Sequence, residues 1–296
     1  MTTRFAALGD SITVGMGDPV PGGYWRGFAE LLAASIAGET EFRNLATSGA
    51  TTAHVAGEQL DEAVRWRPHV ATVVVGCNDI LRGSFDINAI GARLHHVVDE
   101  LSACGTKVVT VCLPEPGRML RLPKALARPL ARRVNAVNDI IHALANRYPI
   151  AHAHAATHAN TFDRRMWSID RLHPSERGHR LLAGLCYDML CDNGFPVGPR
   201  PSAEPDQPPP TARSRVWWMA TKGTRWVLHR STDLMPQLLA LAAAEWRGMA
   251  GELDRLMATE VQRINATFSR RSWTGGGDDT LNSGEWATIR TRSAEW

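Results

Sequence analysis

A serine follows Gly9-Asp10 at the end of a short apolar run over residues 5–8, in "FAALGDSITVG". Turn formation explains the glycine and the aspartate, but it does not require a hydroxyl displayed at the end of a buried strand. Ser11 would become a nucleophile only if a base removed its proton and a third group oriented that base. The segment "SIDRLHPSERGH" supplies both, with Asp170 and His173 three residues apart. In a loop just ahead of a helix, that spacing lets the carboxylate reach imidazole Nδ1 while Nε2 faces outward. An attacked ester also develops an oxyanion, which needs preorganised donors. Gly49 in "NLATSGATT" offers a backbone N–H without a side chain, Asn78 in "VVVGCNDILRG" offers an amide, and the Ser11 N–H is the third donor.

These groups can meet only if the chain brings distant segments to one edge. Five short apolar segments, at residues 5–8, 42–46, 70–75, 107–113 and 150–155, are bounded by turn residues and predict strands. Between them, residues 24–37, 52–66, 86–105, 132–147 and 174–192 carry helical periodicity. In one of these, Ile87, Ile90, Leu94, Val97, Val98 and Leu101 share a face after a capping Asp86. Strand and helix in alternation predict a parallel sheet covered by helices on both sides. Each candidate site residue then falls just after a strand, or in the loop before the last helix, at the carboxyl edge where such sheets gather ligands.

Taken together, Gly9-Asp10-Ser11, Gly49, Gly76-Cys77-Asn78-Asp79 and Asp170-Arg171-Leu172-His173-Pro174 resemble the SGNH (GDSL) hydrolase superfamily over residues 4–192. The resemblance implies a flavodoxin-like three-layer α/β/α sandwich on a five-stranded parallel sheet. It implies Ser11 as nucleophile, His173 as base, Asp170 as its orienter, and Ser11, Gly49 and Asn78 as the oxyanion hole. The implied activity is carboxyl-ester hydrolysis through an acyl-enzyme, with no cofactor and no metal. Acyl transfer to another acceptor, or lysophospholipase-like action at membrane surfaces, are the alternatives. The implied partner is a small-molecule acyl ester, not a nucleic acid.

Several neighbouring residues have plainer readings. Asp10, Asn44 and Asp79 are expected to hold the loops through backbone hydrogen bonds. Cys77 reads as packing. In "HAHAATH", alternation puts His152 and His154 on one strand face, but with no carboxylate or cysteine nearby they read as an exposed strand end, not a metal site. The basic stretch from Arg118 to Arg133 leaves the sheet on the catalytic edge, so Arg121 and Arg128 are candidate binders of an anionic substrate, with a solvated helix face as the plainer account. The glycines of "VGMGDPVPGG" lack the lysine of a phosphate loop, and no G-x-S-x-G occurs.

The 296 residues, carrying a net charge of +3, divide into four parts. Residues 1–195 form the hydrolase domain, 196–212 a proline-rich linker, 213–273 a basic, tryptophan-rich helical extension, and 274–296 a disordered tail. Seven of the ten tryptophans lie beyond residue 212. Trp217, Trp218, Trp226 and Trp246, set among Arg213, Arg215, Arg225 and Arg230, make peripheral membrane contact a candidate role beside simple packing. A helix is expected from Thr232 or Asp233, with Met235, Leu239, Ala242, Trp246, Met249, Leu253, Leu256, Ile264 and Phe268 on its apolar face. Five cysteines without a CxxC pair suit reduced thiols, and with no leader or membrane-length apolar run a cytoplasmic location is expected. Oligomeric state has no signature.

Overall fold

The computed structural model describes residues 2–206, 236, 239–243 and 245–269. Five strands form one all-parallel sheet: β1 (Thr3–Gly9), β2 (Thr40–Asn44), β3 (Val70–Val74), β4 (Lys107–Val111) and β5 (Ala151–Ala153). Their order is β2-β1-β3-β4-β5. β1 and β3 lie inside the sheet and are almost wholly buried, as their unbroken runs of alanine, valine, leucine and phenylalanine require. β2 is an edge strand and alternates with polar side chains. From β1 the chain moves first to one side of the sheet, to β2, and then to the other, to β3. The carboxyl end of β1 is therefore the topological switch point, where sheets of this order leave a crevice.

The helices are α1 (Ser11–Val14), α2 (Gly27–Ala33), α3 (Thr52–His54), α4 (Leu60–Trp66), α5 (Cys77–Ile80), α6 (Ile87–Ala103), α7 (Pro116–Met119), α8 (Lys124–Arg147), α9 (Glu176–Asp192) and α10 (Ala250–Ser269). A π-helical turn, Val55–Gln59, joins α3 to α4. One core unites Phe5 and Val109 of the sheet with Phe28 and Leu32 of α2 and Cys186 and Leu190 of α9. A second core lies across the sheet, where Leu8 and Val73 meet Leu60, Leu94, Val137 and Ile140. The result is the expected three-layer sandwich.

Beyond shifts of a few residues at element ends, three departures from the sequence reading change the packing. α8 starts at Lys124, eight residues before the expected 132, and passes through Pro129. The missing N–H forfeits one helical bond, while burial of Leu130 and Val134 favours continuing the helix. The proline-rich stretch does not run free from residue 196. Val197 bridges to Ile36, Arg200 pairs with Asp188 at 2.9 Å, and Asp206 meets Arg26 at 2.7 Å. The expected C-terminal apolar stripe is interrupted at Gly248, whose φ of 87° ends the helical phase. Beyond it, Val261, Ile264 and Phe268 of α10 are buried against α6 and α8. Trp246 and Leu256, placed on that same stripe by the sequence, stand 90% and 60% exposed. Ile264 fits because Gly91 on α6 leaves room: a Cβ there would lie 2.7 Å from the Ile264 Cγ2. Trp217, Trp218, Trp226 and the accompanying arginines fall outside the described residues, as does residue 235. No helix among the described residues is long and apolar enough to cross a membrane.

Candidate active site

β1 ends in a turn that Asp10 caps, its Oδ1 accepting the Ile12 N–H at 3.0 Å. Ser11 is thereby the first residue of α1. Its Oγ lies 2.8 Å from His173 Nε2, and His173 Nδ1 lies 2.5 Å from Asp170 Oδ2. The carboxylate can only accept, so Nδ1 carries the proton and Nε2 accepts from the serine hydroxyl. Asp170 is itself fixed: Oδ1 accepts from Ser168 Oγ at 2.6 Å, Leu172 N at 2.9 Å and His173 N at 3.0 Å. Burial alone would raise the Asp170 carboxyl. The hydrogen bond and charge of His173, with the Ser168 bond, outweigh it and bring the value down to about 2. Asp170 therefore stays ionised and holds one imidazole tautomer through the neutral range.

Asn78, one of the oxyanion candidates, is tied to two neighbouring loops. Asn78 Nδ2 donates to Ala50 O at 3.0 Å and lies 3.4 Å from Asp10 Oδ2, so it bridges the loop carrying Gly49 to the turn carrying Ser11. Gly49 has a φ of 82°, a conformation that favours glycine, and a Cβ there would meet nothing within 4 Å. Arg82 fixes that loop by donating to Gly49 O at 3.1 Å.

Loop supports surround this arrangement. Asp79 accepts from Thr52 N at 3.0 Å and Thr52 Oγ1 at 2.7 Å; burial, its largest influence, raises its carboxyl above the usual range. Asn44 donates to Thr13 O at 2.9 Å and accepts from Ala46 N at 3.1 Å. The thiol of Cys77 is pushed up by burial and by Asp10 and Asp79 beside it, which leaves it protonated.

The structure adds residues that the sequence reading did not single out. Gln59, buried in the π-helical turn, grips both sides of Gly9, accepting from its N at 2.8 Å and donating to its O at 2.9 Å. This anchors the backbone two residues before Ser11. Ser168 and Arg82 are similarly absent from the motif blocks. His179 accepts from Phe28 N at 3.2 Å through Nδ1 and donates from Nε2 to Met16 O at 3.0 Å, tying α9 to the loop after α1. For Gln59 and His179 the only sequence signal is an isolated polar residue within a helix, which does not separate a loop anchor from a surface group, and Ser168 and Arg82 lie in loops without even that signal.

Two sequence readings need correction. Arg128 donates to Asp254 on α10 at 3.0 Å, and Arg132 joins the same carboxylate at 2.7 Å, so the Arg128 guanidinium is engaged in a helix-to-helix ion pair. Arg121 lies instead in a cleft with Arg118, Phe162, Arg164, Trp167 and Arg171, the last adjacent to Asp170. His152 is no exposed strand end. It is 8% exposed, and Cys112 and His142 join it and His154 in one cluster.

An apolar cleft adjoins the triad, lined by Val111, Leu113, Pro114 and Leu182, together with Ile12 and Pro174, which follow Ser11 and His173 in the chain.

Sheet order and crevice define a three-layer α/β/α sandwich of the flavodoxin-like kind, with Ser11 at the carboxyl end of β1. A profile of the GDSL-like Lipase/Acylhydrolase family matches residues 7–181, and the chain belongs to that family. Solved structures share the fold at low identity. The acetylxylan esterase Axe2 from Geobacillus stearothermophilus is 18% identical with a TM-score of 0.52, the match covering 65% of this chain and 94% of that one. TesA is 20% identical with a TM-score of 0.53, covering 64% and 99% respectively. LAE5, an alpha/beta hydrolase enzyme from the metagenome of Lake Arreo, Spain, is 18% identical with a TM-score of 0.51, covering 65% and 95%. No curated protein matches the chain.

Proposed function

We propose that the protein is a serine carboxyl-ester hydrolase that works through an acyl-enzyme on Ser11. The observation that carries this reading is the unbroken line from Ser11 Oγ through His173 to Asp170, at 2.8 Å and 2.5 Å. His173 Nε2 takes the hydroxyl proton as Oγ bonds to the ester carbonyl carbon, and Asp170 stabilises the imidazolium without accepting that proton. The N–H groups of Ser11 and Gly49 receive the oxyanion, joined by the Asn78 amide as it exchanges its long 3.4 Å contact with Asp10 for the substrate oxygen. The tetrahedral adduct collapses, breaking the bond to the alcohol oxygen, which leaves with the proton held on Nε2. Water then gives a proton to His173 Nε2 and attacks the acyl carbon; the second adduct collapses, the bond to Ser11 Oγ breaks, and Nε2 returns the proton to Oγ, releasing the acid and free Ser11. The apolar cleft beside Ile12 and Pro174 suits the acyl group.

Ser11→Ala should lower kcat for a chromogenic ester by roughly four to six orders of magnitude and leave the melting temperature nearly unchanged. It should also abolish labelling by a fluorophosphonate. A folded Ser11→Ala protein with wild-type turnover would refute the reading. Product analysis with added alcohols separates hydrolysis from acyl transfer.

The cleft formed by Arg118, Arg121, Arg164 and Arg171 favours an ester with an anionic leaving portion. Arg118 packs its guanidinium over Phe162 at 3.6 Å, which holds its charge in place. Charge reversal at Arg118 and Arg121 should raise KM about tenfold or more for esters of anionic alcohols and leave KM for neutral esters unchanged. An equal effect on both substrate classes would remove this assignment.

A further inference from the structure

A cluster on the far half of the sheet is not used by the ester chemistry. β4 and β5 pair with Thr110 opposite His152 and Val111 opposite Ala153. That register brings Cys112 alongside His154. α8 crosses above and adds His142. One ligand atom from each of Cys112, His142, His152 and His154 lies within 4.8 Å of every other. A tetrahedral zinc-type ion needs separations of roughly 3.3–3.6 Å between such atoms, so small side-chain rotations would close the set.

Packing alone gives a poor account of these residues. The Nε2 atoms of both His142 and His152 are buried without a hydrogen-bond partner, and His152 is more than nine-tenths buried. The three imidazoles crowd together, with ring centres 4.7 to 5.3 Å apart. Burying two imidazole nitrogens with nothing to bind costs free energy that the ring contacts do not obviously offset. The outer contacts already have the form of a metal site. Thr110 Oγ1 lies 2.9 Å from His152 Nδ1, which would fix the tautomer that leaves Nε2 free to coordinate. Ala156 N donates to Cys112 Sγ at 3.3 Å, in the position to support a thiolate.

We infer that Cys112, His142, His152 and His154 form a binding site for a divalent transition-metal ion of the zinc type. One thiolate with three imidazoles favours zinc over magnesium or calcium. Binding replaces the Cys112 thiol proton, which passes to solvent, with a sulfur–metal bond. Four protein ligands fill a tetrahedral shell, so the ion is structural and takes no part in hydrolysis. It would pin the three-residue edge strand β5 to α8 and brace the cleft wall that Cys112 shares.

The test uses untagged, chelator-treated full-length protein. Titration with Co²⁺ should give visible d–d bands and a thiolate-to-cobalt charge-transfer band saturating at one equivalent, both displaced by Zn²⁺. Zn²⁺ at a hundredfold excess over Kd should raise the melting temperature by roughly 5–10 °C. Cys112→Ser should lose the charge-transfer band, His152→Ala should lose high-affinity binding, and His158→Ala should change neither. Wild-type protein without a charge-transfer band would overturn the proposal even if the variants fail to fold. Folded Cys112→Ser with an unaltered cobalt spectrum would overturn it as well. Ester hydrolysis by the metal-free protein is expected to persist, so this result and the outcome at Ser11 are independent.

Discussion

Two carboxyl groups flank the nucleophile's surroundings and are driven in opposite directions. Asp170 is held near 2 by the imidazole it faces, whereas burial raises Asp10 to about 6, against the smaller opposing pull of the Ile12 N–H and His173. The unfolded chain loses the Asp10 proton near 3.8, so between about pH 4 and pH 6 the folded state holds a proton that the unfolded state has released. Stability supplied by this residue is therefore greatest below that window and falls as pH rises through it. Asp10→Asn removes the titration. Urea unfolding of both proteins should show the wild type losing roughly 2–3 kcal/mol relative to Asp10→Asn between pH 4 and pH 7. Parallel stability curves would show that Asp10 ionises as freely in the fold as outside it. At this scale the motif blocks were legible because all but the lone Gly49 pack their chemistry into three to five adjacent positions. Gln59 was not, because its partner Gly9 is fifty residues away and nothing local marks the bond.

At the scale of elements, α6 was readable nearly to the residue, since a capping aspartate, a clean apolar stripe and a terminal glycine all agree. The periodicity over 132–147 covers only the later part of α8, which starts at Lys124 and passes through Pro129, where burial of the neighbouring leucine decides the outcome. α10 was misphased by Gly248, a left-handed break that one glycine among helix formers does not announce. Its docking is nonetheless specific: Phe268 stacks on His95 at 4.6 Å between ring centres, and its carbonyl accepts from Arg147 at 2.9 Å. Arg147 closes α8 at the end away from β4, and hence on the edge opposite Ser11. Phe268→Ala should then cost about 3 kcal/mol in chemical denaturation and leave kcat/KM unchanged. A matching fall in kcat/KM would mean that α10 reaches the catalytic edge.

For the molecule as a whole, the sandwich followed from alternation alone, because a parallel sheet buried on both faces leaves few other ways to arrange five apolar runs. Long-range pairings were the illegible part. The cysteine that completes the histidine cluster lies forty positions from His152, and the acid that engages Arg128 comes from beyond the proline-rich stretch. Chain order also separates the reacting partners in time. The first strand sits inside the sheet, and its serine leaves the ribosome 162 residues ahead of the histidine it must meet. Under the proposed chemistry a nascent chain carries a harmless hydroxyl until α9 has emerged and docked. Translation that stalls earlier releases fragments that cannot attack the cell's own esters.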